Sequence, residues 1–140
     1  MDSGLACHLL GIESEKMLNQ SPFLGPIFEG FVASEIIKHQ ANSGRPRALY
    51  YFRDQQGLEV DFIIPRGDRK LMFIEAKASR TVVPEMAEPL ERLLKATTRY
   101  TVTPLVIHRE GKQGFSTAAL RPGIRALSIE QLPSLLRLAK

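Results

Sequence analysis

The chain has 140 residues, 44% hydrophobic and 24% charged, with a net charge of +4. That is the size and composition of one ordinary globular domain, and the small basic surplus is compatible with a phosphate-bearing partner without requiring one. A single cysteine, Cys7, excludes an internal disulfide or a cysteine-rich zinc site. No apolar run reaches the ~20 residues of a membrane span and no signal-peptide pattern opens the chain, so no membrane association and a cytoplasmic location are expected.

Asp2 or Ser3 can cap a short helix that runs to about Leu10 and ends near Gly11. The abrupt Met1-Asp-Ser-Gly-Leu-Ala reads as a helix already in progress, either a true start or the edge of a longer protein. Ser14 caps a second short helix over residues 14–19. After Ser21-Pro22 and Gly25-Pro26, the apolar positions Ile27, Phe28, Phe31, Val32, Ile36 and Ile37 recur at helical spacing. That pattern predicts a helix from Pro26 to about Gln40, closed by Asn42-Ser-Gly44. Glu29 lies near the edge of its apolar face, as a boundary residue of the core or as a site acid. Glu35 falls near the opposite side and reads as a solvated charge.

Three strand-like runs follow, at residues 49–53, 58–65 and 71–78, separated by Asp54-Gln-Gln-Gly57 and Arg66-Gly-Asp68. They predict an antiparallel meander. Pro84 opens a helix that ends near Tyr100, with Met86, Leu90, Leu93 and Leu94 along one face. Residues 103–108 read as a strand, 111–114 as a turn, 115–119 as a further strand and 125–127 as an edge pairing. A last helix runs from Ser128 or Glu130 to Ala139. The connection from the third strand through a helix to residues 103–108 is long enough for a crossover to a parallel neighbour. A mixed central sheet of about four strands flanked by helices is the expected α/β architecture. His8, His39 and His108 lack metal-ligand spacing.

The chemistry concentrates in the second and third strands. In Leu71-Met-Phe-Ile-Glu75-Ala-Lys77-Ala-Ser79, strand alternation puts Glu75 and Lys77 on one face. Asp61 sits in a similar apolar run, Leu58-Glu-Val-Asp-Phe-Ile-Ile64. Charge beside apolar neighbours is costly unless it is paired or binds a metal. Asp61 and Glu75 can offer two carboxylates to a hard cation such as Mg2+ or Mn2+, and a carbonyl near Ala76 can offer a third ligand. Lys77 would then orient a water or stabilise developing negative charge. The plainer reading is a solvated Glu-x-Lys face, or Asp61 paired with Lys77 across the strands. Arg53 stands just before the turn into the Asp61 strand, either paired with Asp54 or Glu59 or as a phosphate contact.

Gly25-x-x-x-Glu29 on a helix, then Glu59-Val-Asp-Phe, then Ile74-Glu-Ala-Lys resembles the restriction-endonuclease-like PD-(D/E)XK nuclease superfamily. The strings Asp2-Ser-Gly-Leu-Ala, Phe28-Glu-Gly-Phe-Val, Tyr51-Phe-Arg-Asp and Ile74-Glu-Ala-Lys-Ala-Ser are similar, more narrowly, to a C-terminal domain that follows an AAA-type ATPase module in prokaryotic proteins. This resemblance runs from about Asp2 to Ser79. It implies one nuclease-like domain over residues 1–140, with a mixed four-stranded sheet, belonging to a longer ATPase. It assigns Glu29, Asp61 and Glu75 to Mg2+ or Mn2+, makes Asp61, Glu75 and Lys77 catalytic, and implies nucleic acid and an ATPase module as partners. Val60 stands where the superfamily usually has proline, and no Gly-x-x-x-x-Gly-Lys-Ser/Thr loop is present. Two functions are therefore expected alternatives: a metal-dependent phosphodiesterase, or a silent DNA- or protein-docking module regulating an ATPase.

Overall fold

The computed structural model describes residues 2–109 and 118–138, and its elements, contacts and counts are those of the described residues. Its elements in chain order are α1 (Ser3–Leu9), α2 (Glu15–Gln20), α3 (Leu24–Asn42), β1 (Tyr50–Arg53), β2 (Glu59–Pro65), β3 (Lys70–Lys77), α4 (Glu88–Ala96), β4 (Thr101–His108), β5 (Ala118–Arg121), β6 (Ile124–Ser128) and α5 (Leu132–Leu138). The six strands form one mixed sheet in the order β1-β2-β3-β4-β6-β5. No helix among the described residues is long and apolar enough to cross a membrane.

The meander is present as expected: β1 pairs antiparallel with β2, and β2 with β3. The crossover is present too, because β3 and β4 run parallel in continuous register from Lys70↔Thr101 to Lys77↔His108. The expectation of about four strands falls short by two. The run expected over residues 125–127 is β6, and it is an interior strand, parallel to β4 and covered at its other side by β5. Arg125 interrupts its apolar pattern, which is why the sequence reads as an edge. The expected turn over residues 111–114 lies outside the described residues, as does most of the strand expected over 115–119. The observed β5 begins at Ala118. The end of the last helix at Ala139 is also outside them.

Two apolar clusters cover the two faces of this sheet. On one face α3 and α5 contribute Phe28, Val32, Ile36, Leu132 and Leu136 against Ile64, Met72, Ile74, Ala76, Leu105 and Ile107. On the other, Ala87, Leu90 and Leu93 pack on Val60, Phe73, Val106, Ile124 and Ala126. The four buried residues of α3, Phe28, Val32, Ile36 and Gln40, repeat every four positions and form a single stripe. By contrast, α1 and α2 bury none of their residues.

The helix expected from Pro84 to near Tyr100 is broken and shorter. A 3-10 turn spans Pro84–Ala87, and α4 begins at Glu88 with Pro89 in its first turn. A proline has no N–H to donate, so it is tolerated in a first turn and not inside a helix. The second proline therefore restarts the helix. At the other end the Thr97 hydroxyl donates to the Leu93 carbonyl, and the helix stops at Ala96.

Gln40 closes the loop that leads into β1. Its amide nitrogen donates to the Ala48 carbonyl at 2.9 Å, and its oxygen accepts from the Ala48 N–H at 3.1 Å. Gln40→Leu keeps the volume but strands both backbone groups. Chemical denaturation is expected to show a loss of about 1–3 kcal/mol, and an unchanged midpoint would mean that solvent replaces both bonds.

Candidate functional site

The site forms where β2 leaves β3. The antiparallel register between them runs from Pro65↔Leu71 to Phe62↔Ile74, and one further step would set Asp61 opposite Glu75. Beyond that point the Ala76 N–H donates to Asp61 Oδ2 at 2.8 Å. On the other side of β2 the register slips: Tyr50 faces Ile63, but Phe52 faces Val60. One extra residue of β2 is therefore accommodated between Val60 and Ile63, a β-bulge beside Asp61. Its effect shows in the packing, since Val60 joins the α4-side cluster and Ile64, an even number of positions later, joins the α3-side cluster. Bulges re-aim side chains in this way.

Asp61 lines a cleft of about 410 Å3 between α3 and the β1–β2 edge, with Pro26, Glu29, Gly30 and Ala33 from the helix and Tyr51, Phe52, Arg53 and Glu59 from the strands. Glu29 thus faces Asp61 across the cleft. Arg53 is on the rim, where its guanidinium pairs with Glu59 at 2.9 Å, and both side chains are exposed.

Glu75 is 4% exposed, one of the few charged or polar side chains in the core. Lys77 Nζ donates to its Oε1 at 2.5 Å, with the lysine about a third exposed and the carboxylate nearly enclosed. The second oxygen, Oε2, is buried and has no hydrogen-bond partner. Burial, followed by the charge of Asp61, pushes the Glu75 carboxyl from 4.5 up to about 7, against the opposing pull of Lys77. Asp61 is also raised, first by burial, with its bond from Ala76 and the charge of Lys77 acting the other way. Glu29 is raised by burial and then by Asp61, while Lys77 lowers it. Asp61 and Lys77 are thus the shared neighbours that connect Glu29 on one side with Glu75 on the other.

The structure therefore brings Asp61, Glu75 and Lys77 together, with Lys77 bonded to Glu75 and Asp61 held by the Ala76 N–H between them, and sets Glu29 across the cleft from Asp61. Among the described residues, no three His, Cys, Asp or Glu side chains lie close enough to hold a metal ion together in this arrangement. The donor chemistry nevertheless suits a hard cation: the three acids offer carboxylate oxygens, one of these oxygens is buried without a partner, and all three groups are raised from their ordinary values. The sequence reading named Glu59 only as a partner for Arg53 and overlooked it as a cleft acid whose charge acts on both Glu29 and Asp61. Its place beside Val60-Asp61 was the available signal. Tyr51 also lines the cleft, and it was visible only as part of a string.

The family model described as a domain of unknown function, DUF4143, matches residues 24–132. An uncharacterised protein of Mycobacterium bovis and another of Mycobacterium tuberculosis are each 33% identical to the chain over 93 residues, covering 66% of this chain. The matched stretch is 20% of the length of each of these relatives. No solved structure is significantly similar to this chain.

Proposed function

The chain belongs to the DUF4143 family, and from that premise we propose that it is a restriction-endonuclease-like domain of the PD-(D/E)XK superfamily, cleaving phosphodiester bonds of nucleic acid with Mg2+ or Mn2+. The observation that carries this reading is Glu75: enclosed, titrating at about 7, with a partnerless buried oxygen, between Asp61 and Lys77. A buried acid raised by desolvation and by a neighbouring carboxylate that lines a cleft, beside a specific cation, is the kind of group that chemistry uses.

In this reading Asp61 and Glu75 hold the cation, with Glu29 supporting from across the cleft. Such a cation, when bound, neutralises phosphate charge and lowers the pKa of a water. Lys77, released from Glu75, places its ammonium against the developing negative charge. Arg53 and Tyr51 line the approach, where a guanidinium meets phosphate and an exposed ring meets a base. An ATPase module elsewhere in a longer protein would deliver the nucleic acid.

A specific observation favours the alternative, a docking module without catalysis that regulates such an ATPase. Lys77 occupies Glu75, and the three acids are not assembled into one ligand set. The two readings separate in one experiment, with single-stranded, duplex and branched DNA incubated with Mn2+ or Mg2+ alongside Glu75→Ala and Lys77→Ala. The nuclease reading expects cleavage that both variants lose. It also expects thermal stabilisation by the cation, about 2.7 kcal/mol at a hundredfold excess over Kd, greater at pH 8 than at pH 5 because the raised acids must lose their protons to bind. No cleavage of any substrate, with no cation-dependent shift, sinks it and leaves the docking module.

A further inference from the structure

A second cleft lies at the opposite end of β3. It has a volume of about 470 Å3 and is lined by Arg69, Arg99 and Tyr100. Arg69 directly precedes β3, and Arg99 and Tyr100 directly precede β4. The parallel register, which begins at Lys70↔Thr101, therefore carries the two arginines to the same end of these two neighbouring strands. The Thr101 N–H donates to the Arg69 carbonyl at 2.8 Å and clamps the two approaches together. At about 3.3 Å per residue, the eight residues of β3 separate this cleft from Lys77 by roughly 23 Å. One small ligand cannot touch both sites.

Two guanidiniums facing one cleft repel each other. Here the ion pairs among the described residues are Lys38–Glu35, Arg53–Glu59, Lys77–Glu75, Arg80–Glu15 and Arg121–Glu91, and neither Arg69 nor Arg99 is in them. Asp68, the nearest acid in the chain, pairs with neither. The backbone is also held in an unfavourable form, since Gly67, Asp68 and Arg69 have φ of 76°, 39° and 58° in succession. The left-handed region costs a residue with a side chain about 1–2 kcal/mol. The Arg66 N–H to Lys70 carbonyl and Lys70 N–H to Gly67 carbonyl bonds, 2.8 and 2.7 Å long, hold the turn in place.

We propose that the Arg69–Arg99–Tyr100 cleft is an anion site for a phosphoryl group, separate from the acidic site and independent of the function proposed for it. Two planar forks of N–H donors and a phenol hydroxyl match an oxyanion that presents three or more acceptor oxygens. The phosphoryl oxygens can belong to a free pyrophosphate-type ligand or to a nucleic-acid backbone, and the recognition chemistry is the same.

The test titrates the whole chain at low salt with pyrophosphate and, separately, with a fluorescent ten-nucleotide oligothymidylate. Wild type is compared with Arg99→Gln, with Arg69→Asn, whose asparagine suits the left-handed backbone, and with Arg80→Gln as an equal charge loss elsewhere. Pyrophosphate affinity is expected to fall about tenfold or more in Arg99→Gln and to stay within about twofold in Arg80→Gln. A parallel fall for the oligonucleotide assigns the site to a nucleic-acid backbone, and a fall for pyrophosphate alone assigns it to a free phosphoryl ligand. No binding of either probe, or equal binding by wild type and Arg99→Gln, overturns the proposal. Arg69→Asn keeps the result decisive if Arg99→Gln does not fold, as thermal unfolding will show.

Discussion

Glu75→Gln is expected to stabilise the folded chain by about 1–3 kcal/mol at pH 8 while abolishing the proposed cleavage. The sign follows from the raised carboxyl, 4.5 in an unfolded chain and about 7 in the folded one. Below pH 4.5 the group is neutral in both states, and burial imposes no charge penalty. Between 4.5 and about 7 the unfolded chain loses the proton and the folded chain keeps it, so stability falls as pH rises. Above about 7 the full penalty applies, about 3 kcal/mol for a gap of this size. Glutamine has the same shape and no charge, so it removes the penalty, less whatever Lys77 loses with its partner. Urea midpoints at pH 5, 6, 7 and 8 should show wild type declining and the variant declining much less. Asp61 and Glu29, also raised, keep a residual slope of the same sign. A variant that is less stable than wild type at pH 8, or that tracks it across the range, refutes the assignment.

The second large effect lies behind the site. Phe73→Ala should cost about 3–5 kcal/mol, a substantial fraction of the ~5–15 kcal/mol that holds a domain of this kind together. Phe73 is 1% exposed and packs among Val60, Leu90, Val106 and Ile124 under α4. It sits on β3, which has strands on both sides and helices over both faces, so the surroundings have little room to collapse into the space left. Ile74→Val removes one methyl from the opposite face and should cost only about 0.5–1.5 kcal/mol. Equal losses in the two variants, measured by denaturation, would mean that the α4 side repacks.

The strands of the meander were legible because their apolar runs are bounded by turn residues, and the crossover because a helix-length segment follows the third strand. Asp61, Glu75 and Lys77 were legible as charges in apolar runs. Three things were not. The bulge beside Asp61 adds one residue between apolar neighbours on both sides, so the sequence shows no break in pattern there. The enclosure of Glu75 depends on α4 and β4, which arrive from far along the chain, and a local Glu-x-Lys reads as a solvated pair. The interior position of β6 depends on pairing with β4, which a five-residue run containing Arg125 does not announce. Glu29 was assigned to the metal ligands by resemblance, and the fold sets it across a cleft from Asp61, touched by its charge and not joined to Glu75.

The parallel pairing of β3 and β4 also has a kinetic consequence. Ile63 and Phe73, partners in the β2–β3 hairpin, are ten residues apart, whereas Lys70 and Thr101 must meet across 31. Closing a short loop sacrifices less chain entropy than closing a long one, and hairpins form within microseconds while distant parallel pairings lag. The Asp61–Glu75 half of the site is thus expected to form early. Its burial waits for β4 and α4, so during folding the two acids meet first in water, where their repulsion is screened, and are enclosed only when the last strands close over them.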